Sequence, residues 1–184
     1  RVDIVEFAEQ KNVYLDGSGH AFHWPETLSR TGWAAAQVTE GKADTAMYGT
    51  VPGRQTVPRA ELYSLRVGLT IAVRPITFYL DHFNHVRALK RGKQWCLQPF
   101  RANRDLWVCI WHSIEDLGGL EIGQLEVQYT PAHQREMPGE TLERRYRRIG
   151  NAWADRPPKE GRDMHIVDES IVSECKQMKS TVIE

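Results

Sequence analysis

Four acidic residues stand at points in the sequence where carboxylates can be brought together at one edge of a sheet. Asp16 and Asp81 each end a short apolar run with the pattern of a buried strand, NVYLD and ITFYLD. Glu61 lies near the start of an amphipathic segment, and Asp155 lies near the end of another, in GNAWAD. Because ligands gather beyond the carboxyl ends of strands in sheets with helical crossovers, this arrangement predicts a shared site.

Carboxylates that lie close together repel one another and raise their own pKa values unless a divalent cation neutralises them. Oxygen-only ligand sets suit Mg²⁺ or Mn²⁺ rather than Zn²⁺. Two such ions about 3.5–4 Å apart clamp a phosphate and activate water for in-line displacement. The open alternative for Asp16, which Gly-Ser-Gly follows, is a tight turn, since Asp and Gly are ordinary turn residues.

The elements that must position these acids follow from hydrophobic periodicity and from turn residues. Strands are predicted at residues 12–16, 32–38, 43–51, 76–81 and 124–130. Helices are predicted at residues 59–72, around 86–90, at 103–119 and near 142–156, with Asn103 as the N-cap of the third. Three consecutive antiparallel strands followed by alternating helix and strand imply an α/β fold with a mixed sheet covered by helices.

Length and charge bound the organisation of the chain. At 184 residues there is room for one sizeable core and a tail. We assign residues 1–11 to a lead-in, 12–156 to the domain, and 157–184 to a tail or linker, because Pro157-Pro158 should stop the last helix. Lys plus Arg and Asp plus Glu balance at 24 each, so a nucleic-acid partner must be held by local clusters.

The cysteines and the apolar stretches indicate the compartment. The three cysteines are widely spaced and form no CxxC pair, which favours a reducing environment and predicts an intracellular protein, nuclear or cytoplasmic. The longest apolar stretches, such as VGLTIAV, are too short to span a bilayer, so we expect no membrane partner. The chain begins with Arg1 rather than Met, and we expect it to be a piece of a longer polypeptide.

Five segments, in order, resemble the motifs of type-one ribonuclease H, and specifically the domain carried by retroelement polyproteins. YLDGSG is similar to the first motif, RAEL to the second, LDHFNHV to the third, PAH to the segment with a mobile histidine, and GNAWAD to the last. The resemblance covers about residues 12–156. It implies a ribonuclease H-like fold, a five-stranded mixed sheet with three antiparallel strands and then two parallel strands, flanked by helices.

The same resemblance implies an endonuclease that hydrolyses the RNA strand of RNA/DNA hybrids. The residues that would hold two Mg²⁺ ions, for which Mn²⁺ can substitute, are Asp16, Glu61, Asp81 and Asp155. His133 would help proton transfer or product release at the leaving group. A reverse transcriptase domain in the same parent chain is a further implied partner. The alternative is a catalytically inactive domain of the same fold, acting as a nucleic-acid-binding or structural part of a polyprotein, because Pro157-Pro158 follow the last acid so closely.

Two segments are expected to contact the hybrid. The turn Gly17-Ser18-Gly19 can bring backbone amides close to the RNA strand, because glycine allows close approach. Between His82 and Arg104 there are six basic residues and no acid, with aromatic residues interleaved, which suits contact with phosphates and bases. The predicted contacts in this basic stretch are Arg87, Arg91, Lys93, Trp95 and Arg101. The alternative is a solvated loop, since charge runs usually are solvated.

Overall fold

A computed structural model of the chain describes residues 11–19, 29–164 and 170. The strands are β1 (Lys11–Gly19), β2 (Thr31–Thr39), β3 (Lys42–Thr50), β4 (Ile76–Leu80) and β5 (Leu125–Tyr129). The helices are α1 (Val57–Thr70), α2 (Phe83–Arg91), α3 (Lys93–Cys96), α4 (Arg104–Asp116), α5 (Leu142–Asp155) and α6 (Pro157–Asp163). Within the described ranges, none of the helices is long and apolar enough to cross a bilayer.

The five strands form one mixed sheet in the order β3-β2-β1-β4-β5. β1 pairs antiparallel with β2, and β2 pairs antiparallel with β3, whereas β4 runs parallel to both β1 and β5. The hairpin between β2 and β3 turns at Glu40 and Gly41, which both have positive φ angles, as two-residue hairpin turns require. The predicted fold class, three antiparallel strands followed by two parallel strands, is confirmed.

One face of the sheet is covered by α1 and α4, which pack against each other. The predicted apolar stripe of α1 is buried, because its leucines recur at the helical period and so share one face: Leu62, Leu65 and Leu69. Arg59 joins the two helices, since its guanidinium donates hydrogen bonds of 3.0 and 2.6 Å to the carboxylate of Asp105 at the start of α4.

Asn103 precedes α4 as predicted, but its side chain does not cap the helix. The backbone of Asn103 has a φ of 57°, in the left-handed region that asparagine tolerates better than most residues. Its Oδ1 accepts a hydrogen bond of 3.4 Å from Arg59 instead. The prediction of an N-cap residue was therefore right in position and wrong in the contact that the side chain makes.

The opposite face of the sheet is covered by α5 and α6. Tyr14 of β1 and Tyr79 of β4 stack at 4.9 Å between ring centroids and form a small core with Ala154 of α5. A Cβ at Gly150 would collide with the ring of Tyr14, so this glycine lets α5 lie directly on the tyrosine. This contact sets the end of α5, which carries Asp155, over β1.

The structure places a helix, α6, where the sequence analysis expected a tail. Pro157 and Pro158 occupy the first turn of α6, where a missing backbone N–H costs nothing because it would have no partner within the helix. Two prolines thus end α5 and begin α6. The remainder of the expected tail lies outside the described residues apart from Met164 and Ser170, as does the expected lead-in apart from Lys11. The proposed domain boundaries stay a prediction.

Helix α6 lies against the backbone of the sheet. A Cβ at Gly161 would lie 2.5 Å from the carbonyl oxygen of Gly49 in β3, and one at Gly32 of β2 would collide with the carbonyl oxygen of Pro158. Only glycine permits such a close approach of a helix to strands. The position of α6 on the sheet is consequently fixed by contacts that tolerate no side chain.

We expect Gly161→Ala to destabilise the fold by about 1–3 kcal/mol, the usual cost of forcing an added methyl group into a packed contact. The free energy of unfolding in urea measures the effect. Glu160→Ala, one position earlier on the half-exposed side of α6, is the matched control and should change stability little. Equal stability of the Gly161→Ala variant and the wild type would show that α6 does not pack on the sheet as described.

Candidate metal centre

Three carboxylates converge beyond the carboxyl ends of β1 and β4. Leu15 of β1 pairs with Leu80 of β4 in the parallel register, so the chain delivers Asp16 and Asp81 side by side. Glu61 reaches them from the first turns of α1. One oxygen from each of Asp16, Glu61 and Asp81 lies within 4.8 Å of the other two. The structure thus brings together three of the four acids that the sequence analysis selected.

Gly17 is what allows Glu61 to reach the other acids. A Cβ on Gly17 would lie 2.5 Å from the backbone nitrogen of Glu61 and 2.8 Å from the carbonyl carbon of Ala60, so β1 and α1 meet backbone to backbone. The N–H of Gly17 also donates a hydrogen bond of 2.8 Å to Oδ1 of Asp16. Gly17, Ser18 and Gly19 line the cavity above the acids. Their predicted contact with RNA stays a prediction, and Gly17 has a structural role that the sequence analysis did not assign.

The three acids lie where their ionised forms are disfavoured. Burial, followed by the negative charges of Asp81 and Asp155, raises the pKa of Asp16 to about 7. Burial, followed by the charges of Asp16 and Asp81, holds the pKa of Glu61 well above its usual range. Burial also raises the pKa of Asp81, although a hydrogen bond from Glu61 opposes the rise. Without a cation, the cluster therefore retains protons at pH values where isolated carboxyl groups are ionised.

The chemistry of the cluster fits a divalent cation. Oε2 of Glu61 is buried and has no hydrogen-bond partner among the described residues, which costs free energy unless something else satisfies it. The donor set consists of carboxylate oxygens, which suit hard ions such as Mg²⁺ and Mn²⁺. Asp16, Glu61 and Asp81 thus form a buried acidic triad that can bind a metal ion.

Asp155, the fourth predicted acid, lines the same cavity as the triad. Its charge raises the pKa of both Asp16 and Asp81, yet it is outside the group of acids that lie within 4.8 Å of one another. Oδ2 of Asp155 instead accepts a hydrogen bond of 3.0 Å from Nζ of Lys159, the residue four positions further on in α6.

Three cavity residues were not predicted by the sequence analysis: Val57, His82 and Lys159. Lys159 was not predicted because its segment was assigned to a tail. Its position four residues after Asp155 is nevertheless the spacing of an ion pair on one helical face. His82 follows Asp81 directly, and its ring stacks on that of His85 at 3.9 Å. Burial, followed by the nearby His82, lowers the pKa of His85 to about 3, which favours its neutral form.

His133, the predicted proton-transfer residue, lines the cavity and is exposed to solvent. It follows β5 in a turn, with a φ of 47°. Its proximity tends to lower the pKa of Asp81, because a positive imidazolium would favour the ionised carboxylate. The structure thus brings His133 to the acids, while its role in proton transfer stays a prediction.

The predicted nucleic-acid contacts of the basic stretch lie on α2, on α3 and before α4, and several have partners within the chain. The guanidinium groups of Arg101 and Arg91 lie over the Trp95 ring, 3.6 and 4.9 Å from its centroid. Nζ of Lys93 donates to the carboxylate of Glu115 at 2.6 Å. Arg87 is exposed. The cation–π contacts hold the stretch in one shape, and its contact with nucleic acid stays a prediction.

Solved structures that match this architecture include ribonuclease H domains. The prototype foamy virus RNase H domain is 16% identical to this chain, with a TM-score of 0.59 over 84% of this chain and 95% of its own. An N-terminal RNase H domain from Mycobacterium tuberculosis is 15% identical, with a TM-score of 0.53 over 84% and 96%. The prototype foamy virus protease-reverse transcriptase is 17% identical, with a TM-score of 0.63 over 89% of this chain and 22% of its own.

No protein-family model matches the chain, and no curated protein is similar enough in sequence to match it. The chain spans about a fifth of the length of the foamy virus protease-reverse transcriptase. At 15–17% identity the likeness establishes the fold. The chain therefore has a ribonuclease H-like fold, similar to retroviral and type 1 RNase H domains, and the fold that the motif resemblance implied is confirmed.

The raised pKa values of the triad predict how its stability depends on pH. An acid whose pKa is raised in the folded state stabilises that state at low pH, and the stabilisation is lost as pH rises through the folded-state pKa. In the absence of divalent cations, wild type should therefore lose stability relative to Glu61→Gln as pH rises above the usual pKa of a glutamic acid and through the raised pKa of Glu61. Urea unfolding at several pH values measures the difference.

The comparison with Glu61→Gln separates the contribution of the acids to stability from that of the histidines, because both proteins retain His82 and His85. The lowered pKa values of these histidines contribute stability that is lost as pH falls, in the opposite direction to the acids. Parallel pH profiles for wild type and Glu61→Gln would contradict the description of the triad as a cluster of buried, mutually repelling carboxyl groups.

Proposed function

We propose that the chain is a ribonuclease H, an endonuclease that hydrolyses the RNA strand of RNA/DNA hybrids with the help of two Mg²⁺ ions, for which Mn²⁺ can substitute. The observation that carries this proposal is the convergence of three buried carboxylates at the edge of a ribonuclease H-like sheet. Carboxylates in this position either retain protons or bind a cation, and a bound divalent cation can activate water for attack on a phosphodiester.

Each acid has a role that follows from its position. Asp16 and Asp81 leave adjacent strands and are central, so both ions would contact them. Glu61 would secure one ion from the α1 side, and Asp155 would secure the other from the end of α5. When bound, the ions neutralise charge on the transferred phosphoryl group and supply an activated water.

The other cavity residues would position the substrate and move a proton. His133 is exposed on the rim, where its imidazole can exchange a proton with the leaving oxygen and with solvent. Gly17, Ser18 and Gly19 present a small-residue rim that lets an RNA strand approach the acids.

The substrate proposal is supported by the basic stretch and by similar structures. Arg87, Arg91, Lys93 and Arg101, with Trp95 among them, would hold the phosphates of the DNA strand. Among structures of the same fold, a foamy viral protease-reverse transcriptase was solved with an RNA/DNA hybrid and another with double-stranded DNA. By extension, we propose a reverse transcriptase domain in the same parent chain as a partner, and an intracellular site of action.

Cleavage of defined duplexes tests the proposal. The purified chain with Mg²⁺ should cut the RNA strand of a labelled RNA/DNA hybrid and should leave double-stranded RNA and double-stranded DNA intact, because we expect the site to recognise 2′-hydroxyls on one strand and a deoxyribose backbone on the other. Cutting of DNA would overturn the assignment of substrate. No cutting of any duplex, with the hybrid still bound, would favour the inactive, nucleic-acid-binding alternative.

Asp81→Asn should reduce hybrid cleavage by more than the roughly 10–100-fold that loss of an outer-shell partner costs, because it removes a direct metal ligand. The fold should survive, since the change also relieves repulsion among the acids. Cleavage rates of matched preparations measure the effect, and Asp116→Asn, an exposed acid beside His112 on α4, is the control. A variant that cuts as fast as wild type would show that Asp81 is not a ligand.

A further inference from the structure

We propose that the ammonium group of Lys159 occupies this site as an ion-pair partner of Asp155. It must be displaced from the Asp155 carboxylate before a second divalent ion can bind there. The inference rests on the proposed function, because it concerns the second of the two ions. It assigns Lys159 as a positioning residue: it acts through Asp155 and sets how tightly the second ion is held.

The geometry places Lys159 inside the site. Its Nζ lies 3.0 Å from Oδ2 of Asp155, and both residues line the cavity that Asp16, Glu61 and Asp81 also line. The side chain of Lys159 is 49% exposed and that of Asp155 is 34% exposed, so the pair sits at the solvent side of the cavity, above the buried triad. A cation entering from solvent therefore meets Asp155 already paired.

The backbone that carries Lys159 is held in place. Pro157 and Pro158 form the first turn of α6, directly after the end of α5 at Asp155. Gly161 rests against the backbone of Gly49, so α6 has no room to shift toward the sheet. The ammonium group is thereby kept one helical turn from Asp155, within reach of its carboxylate.

The charges divide the site into two halves. Asp16, Glu61 and Asp81 have no basic partner among their described hydrogen bonds and ion pairs, whereas Asp155 has Lys159. An ammonium at Asp155 repels an incoming cation and competes for the oxygen that the cation would use. The triad should consequently bind the first ion readily, and the half with Asp155 should bind the second ion more weakly.

Titration with Mn²⁺ alone tests this inference, with free Mn²⁺ followed by electron paramagnetic resonance and heat followed by calorimetry. Wild type should bind one ion tightly and a second more weakly. Lys159→Gln should tighten the second site by roughly 2- to 5-fold, the range that a half-exposed ion pair supports, and should change the first site less. Lys159→Arg keeps the charge and should behave as wild type.

Arg156→Gln is the matched control, because it removes one positive charge from the start of the same helix, where Arg156 pairs with Glu160. If Arg156→Gln tightens the second site as much as Lys159→Gln, the effect is one of net charge and the inference is overturned. Two ions bound with the same affinities in every variant would also overturn it while leaving the metal site intact. Absence of any Mn²⁺ binding to wild type would overturn the metal site and this inference together.

Discussion

Asp16, Glu61 and Asp81 place three carboxyl groups within 4.8 Å of one another where water reaches Asp16 and Glu61 poorly, at 7% and 3% exposure. Ionising all three there is unfavourable, so the cluster must retain protons or take up a cation. Protons and cations are therefore alternative partners of the same oxygens. Since both bind the folded arrangement rather than the separated acids of an unfolded chain, occupancy of the site and stability of the fold are linked.

The rest of the structure serves to hold these acids together against their repulsion. Gly17 lets β1 and α1 approach closely enough for Glu61 to meet Asp16, and Gly150 lets α5 lie on Tyr14 and bring Asp155 to the cavity. Gly161 lets α6 lie on the sheet, and α6 in turn places Lys159 at the same cavity. In each case a helix is placed by a contact in which a side chain is missing, which fixes distance more tightly than a contact between flexible side chains would.

Much of this arrangement was predictable from the sequence, because it depends on short-range patterns. The runs that end in Asp16 and Asp81 have the composition of buried strands, and strand ends are where side chains of parallel neighbours meet. The order of strands and helices likewise gave the mixed sheet. Glu61 was predictable as a helix residue, but its approach to Asp16 depends on Gly17, whose role is visible only once β1 and α1 are packed.

What the sequence did not reveal depends on contacts between distant segments. Pro157-Pro158 reads as the end of a helix, and nothing local shows that a second helix begins there and rests on Gly49 and Gly32. Because this helix was not predicted, Lys159 was not predicted as a residue of the site either. The contact of Trp95 with nucleic acid stays a prediction. The sequence did not reveal that Arg91 and Arg101 lie over the Trp95 ring, because that packing depends on how the segment folds.

Thermal unfolding with and without Mg²⁺ tests most directly whether the buried triad is a cation site. By mass action on the folded state, the melting temperature of wild type should rise steadily with Mg²⁺, with a stabilisation of about 2.7 kcal/mol when the ion is at about 100 times its dissociation constant. Asp16→Asn, which keeps the shape of the side chain, should lose most of this rise. A melting temperature of wild type that is indifferent to both Mg²⁺ and Mn²⁺ would contradict the account.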